Sequence, residues 1–340
     1  MIPLYKPSIK RKEMDALLST LVSDYIESEN ENDEFLKALS TYLKLEYGAL
    51  LRDYSTAIST ALKSLKFKPG SKILISALSP SVYVKEFEKL SIIPVYADVD
   101  PVTGSIDPLE LEKLTEIGID GVIVYSGNGI APDYKIYSEL NIPVIEDITT
   151  TIGCNTATED ISWKPDILIL RMELQDIITS GEGTALFAGN KVVLSTLRIM
   201  LTDLPVTSFL LNMHAAMGHI QLNSIDHFLE RRREIALIFE KSLLKGHHKS
   251  FHSLDNSLRN YPSFHVVLSS PFKEVSRYAR KNGVRVELAF SDSVLTIDPD
   301  TAAKCPNANS LHMRTAVFPL YPGLGNKNTL IISKILSTLP

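Results

Sequence analysis

The chain predicts an α/β protein, with a mostly parallel, helix-flanked sheet followed by a smaller C-terminal α+β domain. Three observations carry this. Short runs such as Ser71-Lys-Ile-Leu-Ile-Ser76 and Gly121-Val-Ile-Val-Tyr-Ser126 are apolar almost throughout, as strands buried on both faces are. Between successive runs lie segments with apolar residues at helical spacing, the pattern of strand, helix and parallel strand. Past Ser208 that alternation gives way to two longer helical stretches, a polar loop and a compact set of strands and helices of about a hundred residues.

In order, Glu34 to Leu43 and Ala57 to Leu65 have helical spacing. The Lys68-Pro-Gly70 turn leads into the strand Ser71 to Ser76. Val82 to Leu90 reads as helix, Ile93-Pro-Val-Tyr-Ala-Asp98 as strand and Asp107 to Glu116 as helix. Gly121 to Ser126 is the next strand, Tyr134 to Leu140 a helix, and Pro143-Val-Ile-Glu-Asp147 a strand ending in an acid. Asp166-Ile-Leu-Ile-Leu-Arg-Met-Glu-Leu-Gln-Asp-Ile-Ile-Thr-Ser-Gly-Glu-Gly-Thr184 reads as a buried strand, a short polar loop and a Gly-Glu-Gly turn. Leu211 to Leu222 and Ile225 to Leu244 are helical, with Arg231-Arg232-Arg233 expected on the wet side of the second. Gly246 to Asn260 is a polar loop or hinge, followed by Ser263 to Ser269, a helix from Pro271 to Asn282, and Val284 to Leu288. Residues 1–225 form the expected large domain and 226–340 the small one. In such sheets ligands sit at the carboxyl ends of the strands, where Asp147 and Asp176 fall.

Composition narrows the function classes. The 340 residues are 44% hydrophobic and 22% charged, and the net charge of -5 argues against nucleic acid as a partner. The tight basic runs, Lys10-Arg11-Lys12 and Arg231-Arg232-Arg233, read as solvated helix faces. Cys154 and Cys305 are too few for a disulfide framework. The His residues form no metal-spaced set, so no metal is expected, and His247-His248 reads as solvated. No apolar run approaches the roughly 20 residues of a membrane helix and the start lacks signal-peptide character, so a cytoplasmic protein without membrane partners is expected.

Several motifs resemble the DegT/StrS family of nucleotide-sugar aminotransferases, which use pyridoxal phosphate (PLP). They are Ile2-Pro-Leu-Tyr-Lys-Pro7, Val99-Asp-Pro-Val-Thr-Gly-Ser-Ile-Asp-Pro108, Gly129-Ile-Ala-Pro-Asp133, Ala215-Ala-Met-Gly-His-Ile-Gln-Leu222 and Phe318-Pro-Leu-Tyr-Pro322. Their order and spacing cover nearly the whole chain, and the resemblance implies the PLP-transferase type I fold. Asp147 matches the acid that pairs with the pyridinium nitrogen; as a residue read alone, it is equally an acid capping a helix. Family members follow the strand after that acid with Ser-Phe-His-x-x-Lys, and laid on without gaps the Schiff-base lysine falls on Asp176. A carboxylate cannot form an imine with an aldehyde.

The resemblance places the rest of the cofactor site on altered residues. The Gly-Thr phosphate cradle corresponds to Tyr54-Ser55; Tyr54 removes the glycine and can fill the hollow, while Ser55 and Thr56 keep hydroxyl donors. The ring-stacking aromatic maps to Pro80, the Gln downstream of the acid to Thr150, and the phosphate-binding strand-end Ser to Arg171. Ser23-Asp-Tyr-Ile-Glu-Ser-Glu29 replaces the family's glycine-bearing substrate loop, and Thr207, Ser208 and Phe209 stand where a neighbouring subunit's Asn-Tyr-Arg would be. Arg171 is expected to be held by Asp176 or Asp147 in the vacated pocket, as a salt-bridged plug with Tyr54 covering it; Arg171 as part of a small-anion pocket is the alternative.

Three readings follow. In the first, the chain is a degenerate homologue without PLP-lysine transamination and without covalent cofactor, acting as a binding or partner protein, with an active paralogue or a small anionic ligand. In the second, it is an enzyme of altered chemistry that holds PLP or pyridoxamine phosphate (PMP) non-covalently, with Asp176 as general base. In the third, Lys164 carries conventional transamination. The family implies a homodimer, and the apolar run Phe209, Leu210 and Leu211 with Met213 and Met217 offers surface for it.

Overall fold

A computed structural model of the protein describes residues 1–22, 30–154, 164–252 and 259–340. The substrate-loop replacement at residues 23–29 therefore lies outside the described residues. Helices α1 (Arg11–Val22) and α2 (Asn30–Leu43) precede strand β1 (Tyr47–Leu51) and α3 (Tyr54–Ser64). Alternation then sets in: β2 (Lys72–Ser76), α4 (Val82–Leu90), β3 (Ile93–Ala97), α5 (Pro108–Glu116), β4 (Gly121–Tyr125), α6 (Tyr134–Ser138) and β5 (Val144–Asp147). After β6 (Ile167–Arg171) and β7 (Thr184–Ala188) come α7 (Lys191–Thr202), α8 (Asn212–Leu222) and α9 (Ile225–Leu243). The last part holds β8 (Phe264–Val267), α10 (Phe272–Lys281), β9 (Glu287–Leu288), α11 (Thr301–Lys304), α12 (Pro306–Arg314), β10 (Thr315–Phe318) and α13 (Asn326–Leu336).

Helix starts follow from short polar side chains that satisfy free backbone amides. Asp53 accepts from Thr56 N above α3, Asp107 from Leu109 N above α5 with Pro108 in its first turn, and Asn190 from Val192 N and Val193 N above α7.

The main sheet has the order β1-β7-β6-β5-β4-β2-β3. Its β3-β2-β4-β5-β6 portion is parallel, β7 runs antiparallel to β6, and β1 antiparallel to β7. Side chains alternate along each strand. Ile167 and Ile169 join Ile73, Ile75, Ile123 and Ile145 under α3, α4 and α7, while Leu168 and Leu170 face Phe35, Leu39 and Ala215 of α2 and α8. Gly48 is required where β1 meets β7: a Cβ there would stand 2.5 Å from the Phe187 ring and 2.6 Å from the Leu186 carbonyl oxygen.

The second sheet, β8-β10-β9, is antiparallel and packs Phe264, Val266, Ala316 and Phe318 against Phe239 of α9 and Ile332 and Leu336 of α13. Ile2 belongs to this core, its amide donating to the Gly283 carbonyl oxygen at 2.7 Å.

Two expectations are corrected here. Arg232 is not on the wet side of α9: it is 4% exposed, and its Nη1 donates to the carbonyls of Tyr261, Pro262 and Leu320. It lies four residues after Phe228 and three before Ile235, which puts it on the helix's buried face. His248 is likewise buried: its Nε2 stands 3.1 Å from the Pro340 carbonyl oxygen, and its Nδ1 accepts from Ser269 N at 3.1 Å. Its neighbour His247 is exposed, as read.

Candidate functional site

The carboxyl ends of β5 and β6 bring the sequence-derived residues together. Asp147 ends β5 in register with Tyr125 and Ile169, and is 1% exposed. A buried carboxylate must be hydrogen-bonded or paired, and Asp147 meets this with four donors. Its Oδ1 accepts from Thr149 N at 3.0 Å and Thr149 Oγ1 at 2.5 Å. Its Oδ2 accepts from the Tyr83 hydroxyl at 2.8 Å and from the Tyr54 hydroxyl. The two phenols touch, 3.0 Å between hydroxyls, with rings edge-to-face at 82°. Burial first, and Asp147 second, push both phenols well above their ordinary range, so they remain neutral donors.

The Arg171–Asp176 pair forms as expected. Arg171 ends β6, and its Nε and Nη2 reach the two Asp176 oxygens at 3.1 and 2.9 Å, a fork that fits a carboxylate. Glu173 N donates to Asp176 at 2.7 Å, fixing the loop, and the Glu173 carboxylate lies 3.8 Å from Arg171. Burial pushes the Asp176 carboxyl up to about 6, with Arg171 and the Glu173 amide pulling the other way. Burial opposes the Arg171 charge, yet the Asp176 carboxylate outweighs it and holds the guanidinium above its ordinary value. The Arg171 guanidinium reaches Asp147 through Tyr54, whose ring centroid lies 5.2 Å away and whose hydroxyl donates to the acid, and the Arg171 amide reaches it through the Thr149 hydroxyl.

The remaining residues are placed differently from the expectation. Ser55 donates to the Glu86 carboxylate, and Thr56 gives both its amide and its hydroxyl to Asp53, each at 2.7 Å. Both hydroxyls expected for a phosphate are therefore committed elsewhere, Thr56 to the Asp53 that caps α3 and Ser55 to Glu86. Thr150 donates to the Ser126 carbonyl, and it is Thr149 that holds Asp147. Pro80 is buried in a backbone bridge to Ser293, and from its segment the aromatic that reaches Asp147 is Tyr83. Sequence reasoning missed Tyr83 and Thr149. The signal for Tyr83 was its place in the first turn of α4, four residues before the buried Phe87. Thr149 stands two residues after an acid, a common position for a hydroxyl that folds back onto a carboxylate.

Lys164 precedes β6, at the far end of the strand, and its Nζ donates to the Lys44 carbonyl at 2.8 Å. Gly181 and Gly183 have φ of +89° and +116°, so the Gly-Glu-Gly turn needs both glycines for its backbone alone. Leu210 and Met217 are buried within the chain itself, while Phe209, Leu211 and Met213 are half-buried. Beside Asp176, a cavity bordered by Tyr5, Lys6, Gln221, Arg232 and Tyr321 encloses about 10 Å³, no more than one water needs.

These groups do not fit PLP as the resemblance would hold it. Asp147, which the resemblance makes the ring acid, has its acceptors filled by three hydroxyls and one amide of its own chain. Asp176, on which the resemblance lays the lysine, is spent on Arg171, and the Asp53 carboxylate occupies the α3 amide that a phosphate would use.

The DegT/DnrJ/EryC1/StrS aminotransferase family model matches residues 7–336. A UDP-4-amino-4,6-dideoxy-N-acetyl-beta-L-altrosamine transaminase of Campylobacter jejuni subsp. jejuni serotype O:23/36 is 24% identical over 297 residues, covering 80% of this chain and 77% of that protein. GDP-perosamine synthase of Escherichia coli O157:H7 is 22% identical across 99% of this chain and 98% of its own. The PLP form of Spr1654 from Streptococcus pneumoniae superposes with a TM-score of 0.87 over 99% of this chain and 97% of its own, at 16% identity. At that identity the superposition speaks for the fold. With a family model matched over nearly its whole length and the same α/β architecture, this chain belongs to the DegT/DnrJ/EryC1/StrS aminotransferase family.

Proposed function

We propose that the chain is a degenerate family member that has given up lysine-based transamination and serves as a binding or partner protein, as a homodimer or beside an active paralogue. The observation that carries this is the Arg171–Asp176 fork in the loop after β6, set beside an Asp147 already saturated by Tyr54, Tyr83 and Thr149. Transamination needs an amine to hold the cofactor and an acid free to pair with its ring; here both positions are spent on protein groups. The test is to incubate the protein with PLP, reduce with borohydride and map adducts by mass spectrometry. No adduct beside Asp147 is expected; one on any lysine there overturns the reading. Sedimentation at micromolar concentration tests the association, and a purely monomeric protein counts against the dimer.

A second reading, an enzyme of altered chemistry in nucleotide-sugar metabolism that holds PLP or PMP without a covalent bond, draws on one observation. The Asp176 carboxyl, pushed up to about 6, lies in the range of a general base at neutral pH. It gains if PMP and a nucleotide-sugar together, and neither alone, give a new absorption band with the protein.

A further inference from the structure

We infer that the Tyr54 phenol is a built-in occupant of the ring position: it fills, from within the chain, the place beside Asp147 where this family's cofactor ring lies. The inference deepens the reading above and rests on it for the assignment of Asp147 as the ring acid.

Three features of the structure support it. First, Asp147 is deeply buried, and none of its hydrogen-bond partners is a cation; two neutral phenols and one threonine satisfy it. A carboxylate so placed is stable without a ligand, whereas one awaiting a ring nitrogen would be left with an acceptor empty. Second, the Tyr54 ring is clasped as a bound ring would be. The Arg171 guanidinium lies 5.2 Å from its centroid, and the Tyr83 ring meets it edge-to-face at 5.8 Å. Third, its backbone is fixed at the start of α3 by Asp53, whose carboxylate takes the Thr56 amide. One short segment, Asp53-Tyr54, thus supplies an anion to the helix N-terminus and an aromatic ring to the acid.

The test removes the internal ring and offers replacements. Wild type, Tyr54→Phe and Tyr54→Gly are melted with and without millimolar p-cresol, which is the deleted side chain, and pyridoxamine, whose protonated ring pairs with a carboxylate. Tyr54 is the first residue of α3, outside the helix interior where glycine is most costly, so Tyr54→Gly tests chiefly the hollow rather than the backbone. The expected result is no shift for wild type or Tyr54→Phe, and a recovery of several degrees for Tyr54→Gly with either compound. Should Tyr54→Gly fold only when one of the two compounds is added, and do so with each of them, that dependence supports the inference; failure to fold with either compound overturns it. Recovery with p-cresol but not pyridoxamine, or with neither, overturns this inference and leaves the non-catalytic reading standing. A shift of wild type with pyridoxamine overturns the inference and the non-catalytic reading together.

Discussion

Replacing Asp176 by alanine isolates its ion pair with Arg171 in the loop after β6. The substitution strips the Arg171 fork of both its bonds, at 3.1 and 2.9 Å, in a place where the Arg171 side chain is only 15% exposed. Removing one partner of a buried pair costs about 3–5 kcal/mol. Arg171 keeps a carboxylate at 3.8 Å and the Tyr54 ring, so the lower end, about 3 kcal/mol, is expected. That corresponds to a fall in Tm of roughly 4 °C for a chain of 340 residues. The assay is a double-mutant cycle with Arg171→Met, each variant followed by circular dichroism in urea. Because the double variant leaves no orphan charge, it should lose at least about 2 kcal/mol less than the sum of the single losses. A cost for Asp176→Ala below about 1 kcal/mol, or a coupling within about 0.5 kcal/mol of zero, would refute the plug.

Three further outcomes follow from the same structure. Glu146, buried beside Tyr134, has its carboxyl raised from 4.5 to about 7 by burial, with the Tyr134 hydrogen bond pulling down and Asp147 pushing up. The folded state therefore holds this proton more tightly than the unfolded chain, and the stability it contributes is full below pH 4.5 and lost as pH rises through 7. Relative to wild type, Glu146→Gln should gain about 3 kcal/mol between those limits, checked by urea melts across the range. Arg232→Met orphans three carbonyls and should cost about 3 kcal/mol or more, read from the urea midpoint; a loss under about 1 kcal/mol contradicts the buried placement. Gly48→Ala drives a methyl into Phe187 and the Leu186 carbonyl, and should cost about 1–3 kcal/mol in thermal melts, with no change expected for Gly70→Ser beyond its turn strain.

How much was legible varies along the chain in a way that physics explains. The strands β2 to β6 stood out because each is an isolated apolar run between turn residues, and the helices between them because their apolar residues recur at 3.6. β1 and β7 passed unread. Both are only five residues long, and an apolar run that short does not by its periodicity separate strand from buried helix segment. The Arg171–Asp176 pairing was legible, since a charge five residues from its opposite across a loop must find a partner when buried. The capture of Asp147 by Tyr83 was not, because the two lie 64 residues apart and meet only when α4 is laid on the sheet.

By itself, then, the sequence determined the strand–helix alternation and the family, since each is a matter of residue identity and local spacing. The tertiary structure decided who satisfies whom. It turned Ser55 and Thr56 away to Glu86 and Asp53, drew Arg232 out of its basic run into a ring of carbonyls, and set the Tyr54 phenol on Asp147. A hydrogen-bond partner is chosen by distance in space once the layers are packed, and no periodicity along the chain encodes that distance.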